Sequence, residues 1–412
     1  MLKFHSLRIA ELQPDADDAV AIALEVPQEL QSEYVGLPGQ HVVLRAELDG
    51  AEARRTYSLT NVPGEWPLRI VARVHEGGRM SRHLAEQLKV GDWIDVLPPN
   101  GSLTPRLVKS SAGTRTYVAF AAGCGITPVV SVVKAVLHAD PANRFILFYG
   151  NSNTGRVMCL EELLGLKDQF MERLALHFVM SREPQEVDLY NGRVDAARVR
   201  ELARTLFEAD QVAEFFVCGP GDMIEQVSGV LRDLNVGADR IHSEHFSDEA
   251  GVYGAVEGHH GATVVGSHAE ADAPSGLTVP DPIAREPQAA SDPLVESDPV
   301  AGGSPAAIEQ REVPLSPTDV ARVTVVVDGR RRNFTMRMNE DTVLDAAERA
   351  GLDLPFSCRA GVCSTCRTKV ISGEVEMAQN YALEDWELEQ GYVLACQSRA
   401  KTPTLELDYD EK

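Results

Sequence analysis

The sequence predicts a multidomain protein: an antiparallel β-barrel, then a doubly wound α/β domain and, beyond a linker, a smaller α+β domain. Three observations predict it. Residues 1–108 alternate short apolar runs with Gly/Pro turns, residues from Thr114 onward alternate strand-like with helix-length runs, and residues 248–320 lose both patterns before a third begins at Ala321. A chain of 412 residues has room for two or three such cores.

In the first region the apolar runs at 41–44, 69–74 and 93–97 are parted by turns at Pro38-Gly39, Pro63-Gly64 and 98–101. Short strands between tight turns predict a small antiparallel barrel. In residues 112–247, apolar runs at 117–121, 145–149 and 215–217 each lead into a helical stretch, at 129–137, 161–169 and 223–234, and a further run covers 174–180. That alternation predicts a parallel sheet, which binds ligands at the carboxyl ends of its strands.

Residues 248–320 are rich in Pro, Ala, Gly, Ser and acid, with Arg285 and Arg311 the only Lys or Arg after Gly251. Such a stretch buries too little apolar surface to offset its ordering entropy and is expected to be a flexible acidic linker. As a coil of about 70 residues it would span roughly 45 Å, enough for the last domain to alternate between two partners. From 321 to 412 the alternation returns at 323–327 and 333–338, followed by a helix at 342–350 that Thr342 can cap and Gly351 can end.

The formal charge of −23 argues against nucleic acid, whose phosphates need clustered Lys and Arg. No apolar run is long enough to cross a bilayer, and the first twelve residues have no signal-peptide core, so a cytoplasmic protein without a membrane partner is expected. Four of the seven cysteines fall in the last 55 residues and the other three stand apart, a pattern that points to metal in a reducing compartment rather than to disulfides.

Those four are Cys358, Cys363, Cys366 and Cys396, spaced Cys-x4-Cys-x2-Cys with a distant fourth. Plant-type [2Fe–2S] clusters use this spacing, with potentials of about −400 mV. Zinc is the alternative for four thiolates, although its sites favour paired knuckles. A hairpin, a helix and this loop, with Gly361 permitting its bend, together predict a β-grasp ferredoxin domain.

Four further motifs carry a resemblance. Arg55-Thr56-Tyr57-Ser58-Leu59 resembles the flavin signature of the ferredoxin–NADP reductase family, although alone it could be ordinary strand pairing. Gly77-Gly78-Arg79-Met80-Ser81 opens a predicted helix whose free amides can hold a pyrophosphate; it resembles the family's FAD pyrophosphate site, which implies FAD over FMN. Gly123-Cys124-Gly125-Ile126-Thr127-Pro128 follows a strand and resembles the family's nicotinamide turn. Cys218-Gly219-Pro220-Gly221-Asp222-Met223 resembles its Cys-Gly-Pro motif. The order of the four is far more specific than any one of them; singly, Cys124 and Cys218 would more often be buried small hydrophobes than chemical groups.

The resemblance implies FAD contacts from Arg55, Tyr57, Ser58, Leu59, Gly78, Met80, Ser81 and Phe246. It implies nicotinamide-nucleotide contacts from Gly123, Gly125, Thr127, Pro128, Cys218, Gly219, Pro220 and Met223, with Ser58, Cys218 and Glu244 nearest the hydride transfer. Ser181-Arg182, at the end of the third α/β strand, could grip a 2′-phosphate, so NADPH is expected over NADH. His259-His260 falls in the linker and is expected to be solvated.

Barrel, nucleotide domain and C-terminal ferredoxin in this order resemble the reductase components of bacterial oxygenases. Within them the chain is most similar to the reductase subunits of phenylacetyl-CoA epoxidases, on Asp188-Leu189-Tyr190-Asn191-Gly192-Arg193, residues 361–370, 373–377 and 392–398. The resemblance implies electron flow from NADPH through FAD and the cluster to an oxygenase that holds a di-iron centre. Alternatives are the reductase of another oxygenase, such as a steroid hydroxylase, or of a hybrid-cluster protein, and, in another class, a flavin and cluster sensor without turnover.

Overall fold

A computed structural model describes residues 3–101, 103–106, 114–246, 263–266, 320–383 and 385–411. The first region forms six strands: β1 (His5–Ala16), β2 (Ala19–Glu25), β3 (His41–Leu48), β4 (Ala51–Ser58), β5 (Leu68–Arg73) and β6 (Trp93–Asn100). They pair in the order β4-β3-β6-β1-β2-β5, antiparallel throughout. A bridge from Leu59 to Ile70 joins the two ends of this order and closes the barrel. Alternation of side chains along each strand sends Leu7, Ile9, Val42, Leu44, Ile70 and Val96 inward, where they are fully buried.

The second region is a five-stranded parallel sheet of β7 (Arg115–Ala122), β8 (Asn143–Asn151), β9 (Leu174–Met180), β10 (Val212–Gly219) and β11 (Ile241–His245). Its order is β11-β10-β7-β8-β9. Helices Ile126–Ala139 and Leu160–Phe170 cover one face, and helices Ala196–Leu206 and Gly221–Asp233 cover the other. The strand order reverses between β7 and β10, which makes their carboxyl ends the expected ligand crevice. Both glycine turns singled out in this domain, at Gly123 and at Gly219, lie there.

The last region pairs β13 (Val320–Val327), β14 (Arg330–Arg337), β15 (Arg367–Ser372), β17 (Tyr392–Leu394) and β19 (Thr404–Asp408) in the order β14-β13-β19-β15-β17, with β13 and β19 parallel. Helix Val343–Arg349 packs on this sheet, capped by the Thr342 hydroxyl, which accepts from the Asp345 amide at 3.2 Å. The parallel central pair grasping one helix is the β-grasp arrangement that the sequence predicts.

A second small sheet corrects the reading of 248–320 as coil throughout. Residues 263–265 form β12 (Thr263–Val265), antiparallel to β16 (Glu374–Met377), which in turn pairs with β18 (Ser398–Ala400). Val264 is buried in the ferredoxin core, and the Gly266 amide donates to the Gly373 carbonyl at 2.9 Å. The remainder of that segment, His259-His260 included, lies outside the described residues.

Candidate flavin, nucleotide and cluster site

The three regions meet at one cleft. Arg55, Thr56, Tyr57 and Ser58 reach it from the end of β4, and Val71, Arg73 and His75 from β5 and the residues just after it. Cys124 and Thr127 enter from the turn after β7, Phe246 from beyond β11, and Ser357 and Cys358 from the cysteine loop. The Ser58 and Ser357 hydroxyls are buried there without a hydrogen-bond partner among the described residues. Two orphaned hydroxyls beside two guanidinium groups fit a polar, anionic cofactor such as FAD.

Not every residue of the flavin motifs lines the cleft. Leu59 and Met80 are buried in the barrel core, so their side chains serve packing. Gly77, at φ 77°, makes the turn, while the Gly78 amide donates to His75 O at 3.0 Å. The predicted helix runs for a single α-turn, Arg79–Arg82, before a π-helical turn at His83–Gln87, which leaves little dipole at its start. Ser81 does reach the cleft, and its hydroxyl accepts from the His75 amide at 3.3 Å.

On the nucleotide side, Gly123 sits at φ 54° and turns the chain from β7 into a helix that begins at Ile126. Gly125 lies so close to β10 that a Cβ there would stand 2.2 Å from the Cys218 carbonyl oxygen, and one on Gly219 would stand 3.2 Å from the Ala122 amide. The turn at Gly125 needs glycine because backbone packs on backbone at the switch point, while Gly219 leaves only tight room beside Ala122 and Met223. Thr127 donates to the Cys124 carbonyl at 2.9 Å, and Pro128 is buried in the first turn of the helix. Pro220 precedes helix Gly221–Asp233, and Met223 is buried beneath it.

Strand register gathers the residues assigned to hydride transfer. Ser58 pairs with His41 across β4 and β3, Cys218 with Glu244 across β10 and β11, and His41 Nδ1 lies 3.1 Å from Glu244 Oε1. Burial, and secondarily the Glu244 charge, hold the Cys218 thiol well above its usual pKa, so it stays protonated. Ser181 and Arg182 are exposed at the end of β9. Glu183 turns aside to Thr154, accepting from its amide and hydroxyl at 2.7 Å each, and the amide bond chiefly holds its carboxyl below the usual range.

The cysteine loop brings the Cys358 thiol beside Cys363 and the Cys366 thiol beside Cys396. Gly361 makes the bend at φ 75°, the Ala360 amide points at Cys358 Sγ at 3.4 Å, and the Cys358 amide points at Cys363 Sγ at 3.5 Å. The Ala395 amide donates to the Cys366 carbonyl at 3.1 Å, which brings the fourth cysteine to the loop. Hydrogen bonding from Cys363, aided by loop amides and opposed by burial, draws the Cys358 thiol down to about 6. Among the described residues, no three Cys, His or acid groups gather closely enough for one ion.

Three family models match the chain: an oxidoreductase FAD-binding domain over residues 13–104, an oxidoreductase NAD-binding domain over 120–229 and a 2Fe-2S iron-sulfur cluster binding domain over 325–401. The chain is 33% identical, over 100% of its own length and 99% of the relative's, to a subunit of the 1,2-phenylacetyl-CoA epoxidase of Escherichia coli. It belongs to the ferredoxin reductase-type oxygenase reductases. This reductase is also 26% identical, over 98% of the chain and 96% of the relative, to the ferredoxin reductase component of 3-ketosteroid-9-alpha-monooxygenase from Rhodococcus rhodochrous. In fold it is similar to phthalate dioxygenase reductase, with a TM-score of 0.50, 19% identity and 98% of both chains covered. FAD, NAD(P)H and a [2Fe–2S] cluster are accordingly the cofactors of the reductase. No helix among the described residues is long and apolar enough to cross a membrane.

Sequence reasoning missed several residues of the site. Arg73 and His75 lie just before Gly77-Gly78, and a strand ending in a cation ahead of a glycine turn was the available signal. Ser357 adjoins the first cluster cysteine. His41 meets Glu244 across 203 positions, and no local pattern announces such a contact.

Proposed function

We propose that this reductase is the NADPH-dependent subunit that feeds electrons to a phenylacetyl-CoA epoxidase whose partner component holds a di-iron centre. The observation that carries it is the single cleft lined by the flavin strand, by the nucleotide turn through Thr127 and by the cluster loop through Cys358. Full-length similarity to the Escherichia coli protein supports the choice of oxygenase. In this reading residues 1–108 hold FAD, 112–247 the nucleotide and 321–412 the cluster, with 248–320 connecting them.

Bound FAD supplies hydride acceptance and one-electron release, and the bound cluster carries single electrons onward. Arg55 and Ser81 would hold the flavin's phosphates, Tyr57 and Phe246 its ring, and Ser58 would donate a hydrogen bond at the ring's reacting edge. Gly123, Gly125 and Gly219 leave room for the nicotinamide nucleotide, with the protonated Cys218 against it and Glu244 fixed by His41. Ser181 and Arg182 would hold a 2′-phosphate, and the engagement of Glu183 by Thr154 keeps that carboxylate turned away. Cys358, Cys363, Cys366 and Cys396 would ligate the cluster. We infer the cytoplasm as its setting, where thiols stay reduced.

The test is the visible spectrum of purified protein under anaerobic addition of NADPH or NADH, followed by turnover with purified oxygenase components. Flavin and cluster absorption both bleached, faster by NADPH, with turnover by phenylacetyl-CoA epoxidase, is expected. Faster support of a 3-ketosteroid oxygenase would replace the substrate class, a reading that the Rhodococcus relative favours. Flavin bands alone after iron and sulfide reconstitution would sink the electron path.

A further inference from the structure

We propose that Arg54 is a positioning residue for flavin-to-cluster transfer, the socket that seats the cluster loop over the flavin cleft; this rests on the electron path proposed above. Arg54 and Arg55 are neighbours on β4, so their side chains leave opposite faces of the strand. Arg55 lines the cleft, and Arg54 turns toward the ferredoxin domain, where its side chain is only 6% exposed.

The guanidinium meets two rings and two carboxylates. Its Cζ lies 5.1 Å from the Phe4 ring centroid in the barrel and 4.1 Å from that of Phe356 in the cluster loop. Nε donates to Glu52 at 2.7 Å within β4, and Nη2 donates to Asp353 at 3.1 Å across the interface. Phe4 is itself held, since Arg45 lies 3.9 Å from its ring and bonds Asp95 at 2.8 Å. The barrel thus presents a preformed cation with one aromatic and one carboxylate of its own, and the ferredoxin domain supplies the second of each.

Phe356 stands two residues before Cys358, so where Phe356 docks decides where the first cluster ligand lies. Ser357 and Cys358 line the flavin cleft in that docked position. The ferredoxin domain keeps its own partners for Phe356, in its core and in Arg359 at 4.3 Å from the ring, so Arg54 is not needed for that domain to fold. Asp353 is 68% exposed, and the ion pair therefore contributes little; the buried stack carries the docking. A planar, weakly hydrated guanidinium suits such a stack where an ammonium does not. Each hydride brings two electrons to the flavin, which leave as two single-electron transfers to the cluster, with one proton passing to solvent.

The test uses full-length holoprotein, mixed anaerobically with NADPH in a stopped-flow spectrometer that separates flavin from cluster bleaching. Amide hydrogen exchange of residues 353–357 in the oxidised protein reports the docking itself. Arg54→Ala should leave flavin bleaching as in wild type, slow cluster reduction by roughly 5- to 30-fold and speed that exchange. Arg54→Lys should recover part of the rate, and Phe4→Leu, which loosens the socket without removing its charge, should slow cluster reduction less than Arg54→Ala. Cluster reduction and exchange unchanged in Arg54→Ala and Phe4→Leu would overturn the proposal, as would equal slowing of flavin bleaching. Wild-type protein in which NADPH bleaches the flavin but never the cluster would instead sink the electron path on which the proposal rests.

Discussion

The two groups of cysteines in this chain differ in what surrounds the sulfur. Around Cys358 and Cys363 the loop turns backbone amides toward the sulfurs, the Ala360 amide 3.4 Å from Cys358 Sγ and the Cys358 amide 3.5 Å from Cys363 Sγ. Around Cys124, Cys159 and Cys218 the chain packs apolar side chains, and burial lifts each thiol above its ordinary value. The first environment offers amide donors to sulfur; the second holds small protonated side chains in apolar packing. Residue type alone does not tell the two groups apart; the spacing and the glycine at 361 mark the first as the proposed ligands.

The largest expected effect breaks that contrast directly. Cys396→Ser removes one of the two thiols of the second pair, so the protein should lose its cluster absorption and all delivery of electrons beyond the flavin, while NADPH-dependent ferricyanide reduction persists. Cys218→Ala should do the reverse, leaving the cluster spectrum intact and slowing flavin reduction by up to about 100-fold through misplacement of the coenzyme. Loss of the cluster in Cys218→Ala, or its retention in Cys396→Ser, would reverse the assignment of the two groups.

Specificity in the nucleotide half is expected to reside in exposed charge, not in its buried thiol. Arg182→Ala should raise KM for NADPH by about 10- to 100-fold, the worth of a charge-assisted hydrogen bond, and leave NADH unaffected. Equal loss with both coenzymes would place Arg182 outside the 2′-phosphate site. Gly125→Ala tests the close approach of the turns: a methyl group 2.2 Å from the Cys218 carbonyl must push the strands apart, at about 1–3 kcal/mol of stability, seen as a lowered Tm.

Much of this was legible in the sequence, and the exceptions share a cause. The barrel, the parallel sheet and the β-grasp domain follow from alternation and turn residues, which act locally, and the cluster-binding domain follows from three cysteines spaced on one loop with a distant fourth. The strand at 263–265 was hidden because a composition dominated by Pro, Ala and acid masks three residues, Thr263-Val264-Val265, whose partner strand begins at Glu374. Helix Ala196–Leu206 went unread although Asp195 caps it, accepting from the Arg198 amide at 2.9 Å. Arg54 was passed over for its neighbour, since nothing in a strand tells which of two arginines faces another domain 299 positions away.

The smallest expected effect lies where the two halves touch. His245, at the end of β11, packs against Tyr381 of the ferredoxin domain with ring centroids 5.2 Å apart, and burial lowers its pKa from 6.5 to about 4. Burial is the sole cause of that shift, so the cost falls on the charged form. Above pH 6.5 the imidazole is neutral whether docked or free, and docking does not depend on its titration. As pH falls through the window from 6.5 toward 4, the free state takes up a proton that the docked state refuses, and docking weakens. At pH 6 the docked-to-free ratio should drop by about fourfold if separation of the domains exposes the ring fully. Hydrogen exchange at the Tyr381 loop, followed from pH 7.5 to 5.5, measures it, and His245→Phe should flatten the curve. A slope that survives in His245→Phe would assign the pH response to another group and leave the Arg54 stack as the contact that holds the cluster to the flavin.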